Sequence, residues 1–371
     1  MPDQPVTQTI YLHIGTQKTG TTTLQQVGKR NREVLASRGV LYPAAPGDIN
    51  HTGLAIYAYG GQRCLDLANE AGLLNQADIA AYQVALPGRL RAEIAASGAQ
   101  KVWLSNEHLS SRVRDLPQLA QLAAMLRGLA HEVKIIIYLR HQPEYYLSTY
   151  SMVIKAGSDK ATRVPASERE YYYNYDKMLN VWAAAFGDES IVVRVFERAS
   201  LKGGDVVDDI FALMGIDRAG LAIPDSLNPS LDARSLQFLQ SFRKHVPRYR
   251  DGALNPEHGD VVKALEALPP GPKYRVPAAV MQRIAEMFAP SNARVARRYL
   301  QREDGKLFAD VVYRDDGDIA ELSVDDAVDI AAHLWRWKHR QIADLRQARP
   351  RPGRRADDAH GHEAPAGGGD S

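Results

Sequence analysis

The seven residues Val133-Lys134-Ile135-Ile136-Ile137-Tyr138-Leu139 constrain this chain more than any other segment. Nearly all are strand formers, and successive strand side chains point to opposite faces, so the run reads as a central parallel strand covered on both sides. Such cover takes helices, and the flanking sequence supplies them. Thr9 to Ile14 has strand composition and stops at Gly15; Leu24, Val27, Val34 and Leu35 then recur at near-helical spacing up to Gly39, and Val40-Leu41-Tyr42 reads as a second short strand closed by Pro43. The alternation returns with Lys101 to Leu104 as a strand and Leu116 to Leu129 as a helix. After the central run come a helix opened by Pro143 and closed by Gly157, a helix from Lys177 to Phe186, and the strand Ile191 to Val195. Strands alternating with helices predict a three-layer α/β/α fold with a central, mainly parallel sheet.

Beyond Gly203 the pattern turns helical, near Asp205 to Met214, Leu231 to His245, Pro277 to Phe288, Ser291 to Leu300 and Asp325 to Leu345, with no second sheet. These helices either pack around the same sheet or form a lid. Residues 9–345 therefore read as one domain with a helical extension or lid from about 204, and Arg349 to Ser371, almost without large apolar residues, reads as a disordered tail.

The 371 residues carry 46 basic and 44 acidic side chains, a formal charge of +2, which argues against a dedicated nucleic-acid binder and makes any anion site a local one. Cys64 is the single cysteine, so neither an intramolecular disulfide nor a cysteine-built zinc cluster can form, and a reducing compartment is favoured. The start of the chain has no signal-peptide core, and no apolar run approaches the roughly 20 residues of a membrane span. The expectation is a soluble cytoplasmic protein with no membrane span. The sequence is silent on oligomeric state.

The chemistry concentrates after the first strand. Gly15-Thr16-Gln17-Lys18-Thr19-Gly20-Thr21-Thr22 leads from a strand into a helix, where backbone N–H groups and the helix dipole converge on one spot and favour an anion. It superficially fits the triphosphate pattern Gly-x4-Gly-Lys-Ser/Thr, but Thr21 holds the lysine position and Lys18 precedes the second glycine. A threonine at a helix start often only caps the backbone. A lysine, a glycine and three threonines together, just after a first strand, read as an anion site.

The stretch Gln17-Lys18-Thr19-Gly20-Thr21-Thr22-Thr23-Leu24-Gln25 resembles the 5′-phosphosulfate loop of sulfotransferases that use 3′-phosphoadenylyl sulfate (PAPS), particularly their bacterial carbohydrate-type branch, which share a P-loop nucleotide-binding fold. The resemblance implies that Lys18 contacts the phosphosulfate bridge and that Thr19, Gly20, Thr21, Thr22 and Thr23 bind the 5′-phosphate through backbone and hydroxyl groups. A PAPS enzyme also needs a site for the 3′-phosphate. Arg140, directly after the central strand, and Ser148, eight residues on, resemble that site, the arginine offering forked donors and the serine one more. Looser similarity continues through Tyr175, Trp182, Phe186 and Gly187, Val193 to Glu197, Asn228 to Leu231 and Ser291 to Tyr299, covering roughly Ile10 to Leu300.

Transfer to a hydroxyl needs a base beside it. Ser105-Asn106-Glu107-His108 follows the strand at Lys101, at the sheet edge where ligands of open α/β folds collect. Glu107 is the first candidate, on a Ser-x-Glu element like that of the carbohydrate-type enzymes; His108 is second and His51 third, while His13, inside the first strand, reads as a core histidine. The resemblance implies a PAPS-dependent sulfotransferase that yields adenosine 3′,5′-bisphosphate (PAP), needs no metal, and acts on a hydroxyl-bearing acceptor, with a carbohydrate expected. Two alternatives stay open: a kinase or nucleotide hydrolase with a displaced lysine, and a nucleotide-binding protein without catalysis.

Overall fold

The computed structural model describes residues 4–59, 64–157, 163–224, 231–250, 253–269, 271–315 and 321–348. Strand β1 (Thr7–His13) leads into helices α1 (Thr21–Arg30) and α2 (Arg32–Ala36) and strand β2 (Val40–Leu41). Helices α3 (Thr52–Tyr59), α4 (Leu65–Glu70) and α5 (Gln76–Ser97) precede β3 (Lys101–Ser105), and α6 (His108–Arg112) and α7 (Leu116–Leu129) precede β4 (Ala130–Leu139). Then come α8 (Gln142–Lys155), α9 (Tyr175–Phe186), β5 (Ile191–Val195), α10 (Val206–Met214), α11 (Ala233–Phe242), the short strands β6 (Tyr249–Arg250) and β7 (Ala253–Leu254), α12 (Pro256–Glu266), α13 (Ala278–Leu300) and α14 (Val324–Ala348).

The first five strands form one parallel sheet in the order β2-β3-β1-β4-β5. The central run does what its composition predicts. Ile135, Ile137 and Leu139 alternate onto one face with Ile10, Leu12, Val102 and Leu104, under α3, α5, α7 and α9. Ile136 and Tyr138 go to the other with Tyr11 and Trp103, under α1, α2 and α10. With both faces covered this is a three-layer α/β/α fold.

Helix α10 packs Val206, Val207, Ile210, Phe211 and Met214 into the layer beneath the sheet. Two expectations for the later chain need correction. A second sheet exists as the antiparallel ribbon β6-β7, whose strands of two residues each are too short to show a period. The two stretches read as separate helices form one, α13, running through Pro290. The missing N–H removes a single ladder bond, and buried Ile284, Phe288 and Val295 hold both halves on neighbouring elements. Asn228 to Ser230 and the tail from Arg349 lie outside the described residues.

An ion pair between half-buried Arg194 and buried Asp209 ties α10 to the sheet. Asp209 accepts from the Tyr138 hydroxyl at 2.9 Å, from Arg194 Nε at 2.8 Å and Nη2 at 2.5 Å, and from the Lys202 N–H at 2.9 Å. Burial pushes the Asp209 carboxyl up, but Arg194 and the other donors outweigh it and hold the group below the ordinary carboxylate range. Arg194→Met should therefore cost about 3 kcal/mol in a urea titration at neutral pH, because it strands a buried carboxylate. With a depressed folded-state value, that stabilisation is present above the ordinary carboxylate range and is lost as the pH falls through the folded value. The gap between variant and wild type should accordingly close in acid.

Candidate active site

The loop after β1 is pinned to the carboxyl edge of the sheet from both sides. The Asn106 N–H donates to the His13 carbonyl at 2.9 Å from β3, and the Thr16 N–H to the Tyr138 carbonyl at 3.0 Å on β4, while the Tyr138 N–H returns to Gly15 at 2.7 Å. The Thr16 hydroxyl also donates to the Tyr138 carbonyl, at 3.0 Å, and the buried Thr19 hydroxyl closes the loop by donating to the Thr16 carbonyl at 2.6 Å. Lys18 (φ 65°) and Gly20 (φ 80°) take left-handed backbone, the kind of turn in which successive N–H groups build an anion-binding concavity. Gly20 is also where α10 arrives: a Cβ there would lie 2.9 Å from Val206 Cγ1.

Helix α1 starts at Thr21 with no side-chain cap and no acidic residue in its first turn, whereas Lys29 and Arg30 stand in its last. Its first N–H groups have no intrahelical partner by helix geometry, so they and the dipole are left for an anion. Thr21 is buried, Thr23 half-buried and Thr22 exposed.

Arg140 reaches this loop. Its Nη1 donates to the Lys18 carbonyl at 3.0 Å, its Nε lies 3.3 Å from Glu144, and its guanidinium sits 5.9 Å from the centre of the Phe196 ring; the Tyr175 hydroxyl donates to its carbonyl at 2.5 Å. Ser148 is half-buried on α8, one turn beyond Glu144 and two turns before Lys155, so the three share a helix face. Lys155 itself pairs with Glu266 at 2.7 Å. Burial, then the Lys155 charge, then the Arg140 charge all push the Lys18 ammonium below its ordinary range. Three cations are thus gathered around one loop. Lys155 joins them from two turns beyond Ser148, and sequence alone does not single it out.

Glu107 lies against the same loop. A Cβ at Gly15 (φ 104°) would stand 3.1 Å from Glu107 Cβ and 3.2 Å from Ser110 Oγ, so only glycine admits this approach. Gln25, buried on α1, donates to Glu107 Oε2 at 2.7 Å. Gln25 belongs to the same loop sequence, and sequence alone gives it no role. His108 is half-buried at the start of α6; burial lowers its pKa, while Glu107, Asp66 and Glu70 oppose the shift. Its Nδ1 is buried without a hydrogen bond among the described residues.

His51 drops out as a base. It is fully buried, Nε2–H donates to the Pro43 carbonyl at 2.9 Å, Nδ1 accepts from the Ser105 N–H at 2.9 Å, and burial lowers its pKa to about 3. His13 is the core histidine expected: Nδ1 meets Ser105 Oγ at 2.8 Å, its pKa lowered to about 3 by burial. Beside the end of β3, the Asn106 side chain bonds Asn50 and Thr52, and both line a cavity of 560 Å³ shared with Glu70, Tyr82 and Arg89. Among the described residues no helix is long and apolar enough to cross a membrane, and no group of three or more His, Cys, Asp or Glu side chains is placed to hold a metal.

No protein-family model matches the chain. An uncharacterized protein of Archaeoglobus fulgidus is 31% identical over 84 residues, which span 23% of this chain and 23% of that relative. The crystal structure of a sulfotransferase from Alicyclobacillus acidocaldarius superposes with a TM-score of 0.42 at 14% identity, covering 78% of this chain and 95% of that one. A likeness of that degree carries no argument about chemistry.

Proposed function

We propose that this chain is a sulfotransferase that moves a sulfuryl group from PAPS to a hydroxyl of an acceptor, a carbohydrate or glycoconjugate. The observation that carries the reading is the junction of the two anion-binding elements: Arg140 donates to the backbone of Lys18, so the uncapped start of α1 and the edge of β4 form one cationic site. A ligand with phosphates on both sides of one ribose suits two linked anion sites better than a single phosphate chain does.

In this reading the first-turn N–H groups of Thr21, Thr22 and Thr23, with those of Thr19 and Gly20, hold the 5′-phosphate. Thr19 contributes only its N–H, since its hydroxyl proton is engaged by Thr16. Arg140 and Ser148 hold the 3′-phosphate. PAPS supplies the activated sulfur, whose bond to the bridging phosphate oxygen breaks as the bond to the acceptor oxygen forms. Lys18 stabilises the negative charge that gathers on the bridging oxygen, most strongly in the transition state. Glu107 takes the acceptor proton on Oε1, with Oε2 fixed by Gln25. The cavity of Asn50, Thr52, Glu70, Tyr82 and Arg89 offers hydrogen-bonding groups and one aromatic face, which suits a sugar.

The first test is thermal or chemical denaturation with nucleotides. PAP at a hundred times its dissociation constant should stabilise the fold by about 2.7 kcal/mol, and more than 5′-AMP at equal concentration. Arg140→Met should erase that preference. If 5′-AMP, or ATP with magnesium, stabilises as well as PAP, the 3′-phosphate assignment is wrong; if PAPS binds but no glycan in a broad panel gains labelled sulfate, the acceptor assignment is wrong.

A further inference from the structure

Helix α14 carries two apolar stripes. Ala327, Ile330 and Leu334 pack onto α11 and α12, where Arg234 bonds Asp326 at 2.9 Å, His333 bonds the Ala264 carbonyl at 2.9 Å and Lys338 bonds Asp260 at 2.7 Å. The second stripe faces solvent. Val324, Val328, Ala331, Trp335, Ile342 and Leu345, with Lys338 between, recur in alternating steps of four and three over three heptads. Val324 is 79% exposed, Val328 60%, Trp335 70% and Leu345 69%, and five of the fourteen large exposed apolar side chains among the described residues sit on this one helix.

A helix that only lies on a globular body follows a period of 3.6 and turns its far side polar. A repeat of 3.5 held over three heptads keeps an apolar seam facing one partner helix. The charges choose that partner and its direction. Asp325 and Asp329 stand exposed in the first two turns of α14, Asp326 being held by Arg234, and Arg336, Arg340 and Arg346 stand in the later ones, with Asp344 the only acid there. A parallel copy would set acid against acid; an antiparallel copy sets each acidic end against a basic one. We propose that α14 pairs antiparallel with α14 of a second copy of this chain. Asp325 and Arg346 each directly follow a seam residue, three heptads apart, so a two-fold axis near Trp335 brings each to the other's partner, twice. Both are exposed and neither makes an ion pair with another described residue.

The pairing is independent of the sulfuryl-transfer reading, and its test uses the full chain. Light scattering on a sizing column, at high micromolar concentration, should give twice the mass of one chain. Trp335→Glu should give the monomer with an unchanged melting temperature of the body. Asp325→Arg and Arg346→Asp should each weaken the dimer by about tenfold or more through like-charge contacts, and the double reversal should restore it. A monomeric wild type, a dimer that survives Trp335→Glu, a double reversal without recovery, or a monomer that instead binds anionic vesicles through α14 each overturns the proposal.

Discussion

Lys18→Ala should lower sulfuryl transfer by about two to three orders of magnitude, while the ligand-free protein melts no lower than wild type. The first half follows from the task assigned to the ammonium, which acts most strongly where charge gathers on the leaving oxygen. The second follows from its surroundings. Burial, Lys155 and Arg140 all depress the Lys18 pKa, so the folded state holds this proton less tightly than the unfolded chain does. A lysine shifted that way works against folding at neutral pH, and the penalty fades as the pH rises through the folded value toward the unfolded one. Removing it relieves repulsion in the empty site. PAP-induced stabilisation should shrink as well, since the anion's best-placed cation is gone. Near-wild-type transfer, or a ligand-free variant that melts well below wild type, would remove Lys18 from the role given to it.

The parts of this site that were legible from sequence share a physical reason. The strand Val133 to Leu139 announced itself because a doubly covered parallel strand must be apolar at almost every position, and Ile135 to Leu139 indeed pairs with β5 while alternating between two buried layers. The loop was legible because left-handed backbone and a close approach demand glycine at fixed places, Gly15 and Gly20. Helix α5 was not, since its buried Ile79, Leu86, Leu90 and Ile94 are spaced among alanines that give little contrast between faces. Lys155 and Gln25 were not foreseen because each acts through a partner distant in sequence: Lys155 through Lys18 and Glu266, Gln25 through Glu107. His51 misled for the opposite reason. A loop histidine looks available until the fold gives both of its ring nitrogens a backbone partner.

Glu107→Gln should separate the two remaining bases. Glutamine keeps the shape of the side chain and an oxygen that accepts from Gln25, so the loop, the Gly15 contact and PAP binding should all persist. Only the capacity to take a proton is lost, which for a general base lowers the rate by about 10² to 10⁴. The fall should appear in kcat. His108→Asn provides the contrast. Because burial lowers the His108 pKa below 6.5, a histidine base would place the acid limb beneath the ordinary imidazole range, and His108→Asn would then carry the loss that Glu107→Gln escapes. Gly15 favours Glu107, since the missing side chain there makes room for the glutamate stem, not for the imidazole. If transfer survives Glu107→Gln but not His108→Asn, the proton goes to the imidazole beside Asp66 and Glu70, and Glu107 is left as the group that seats Gln25 against the loop.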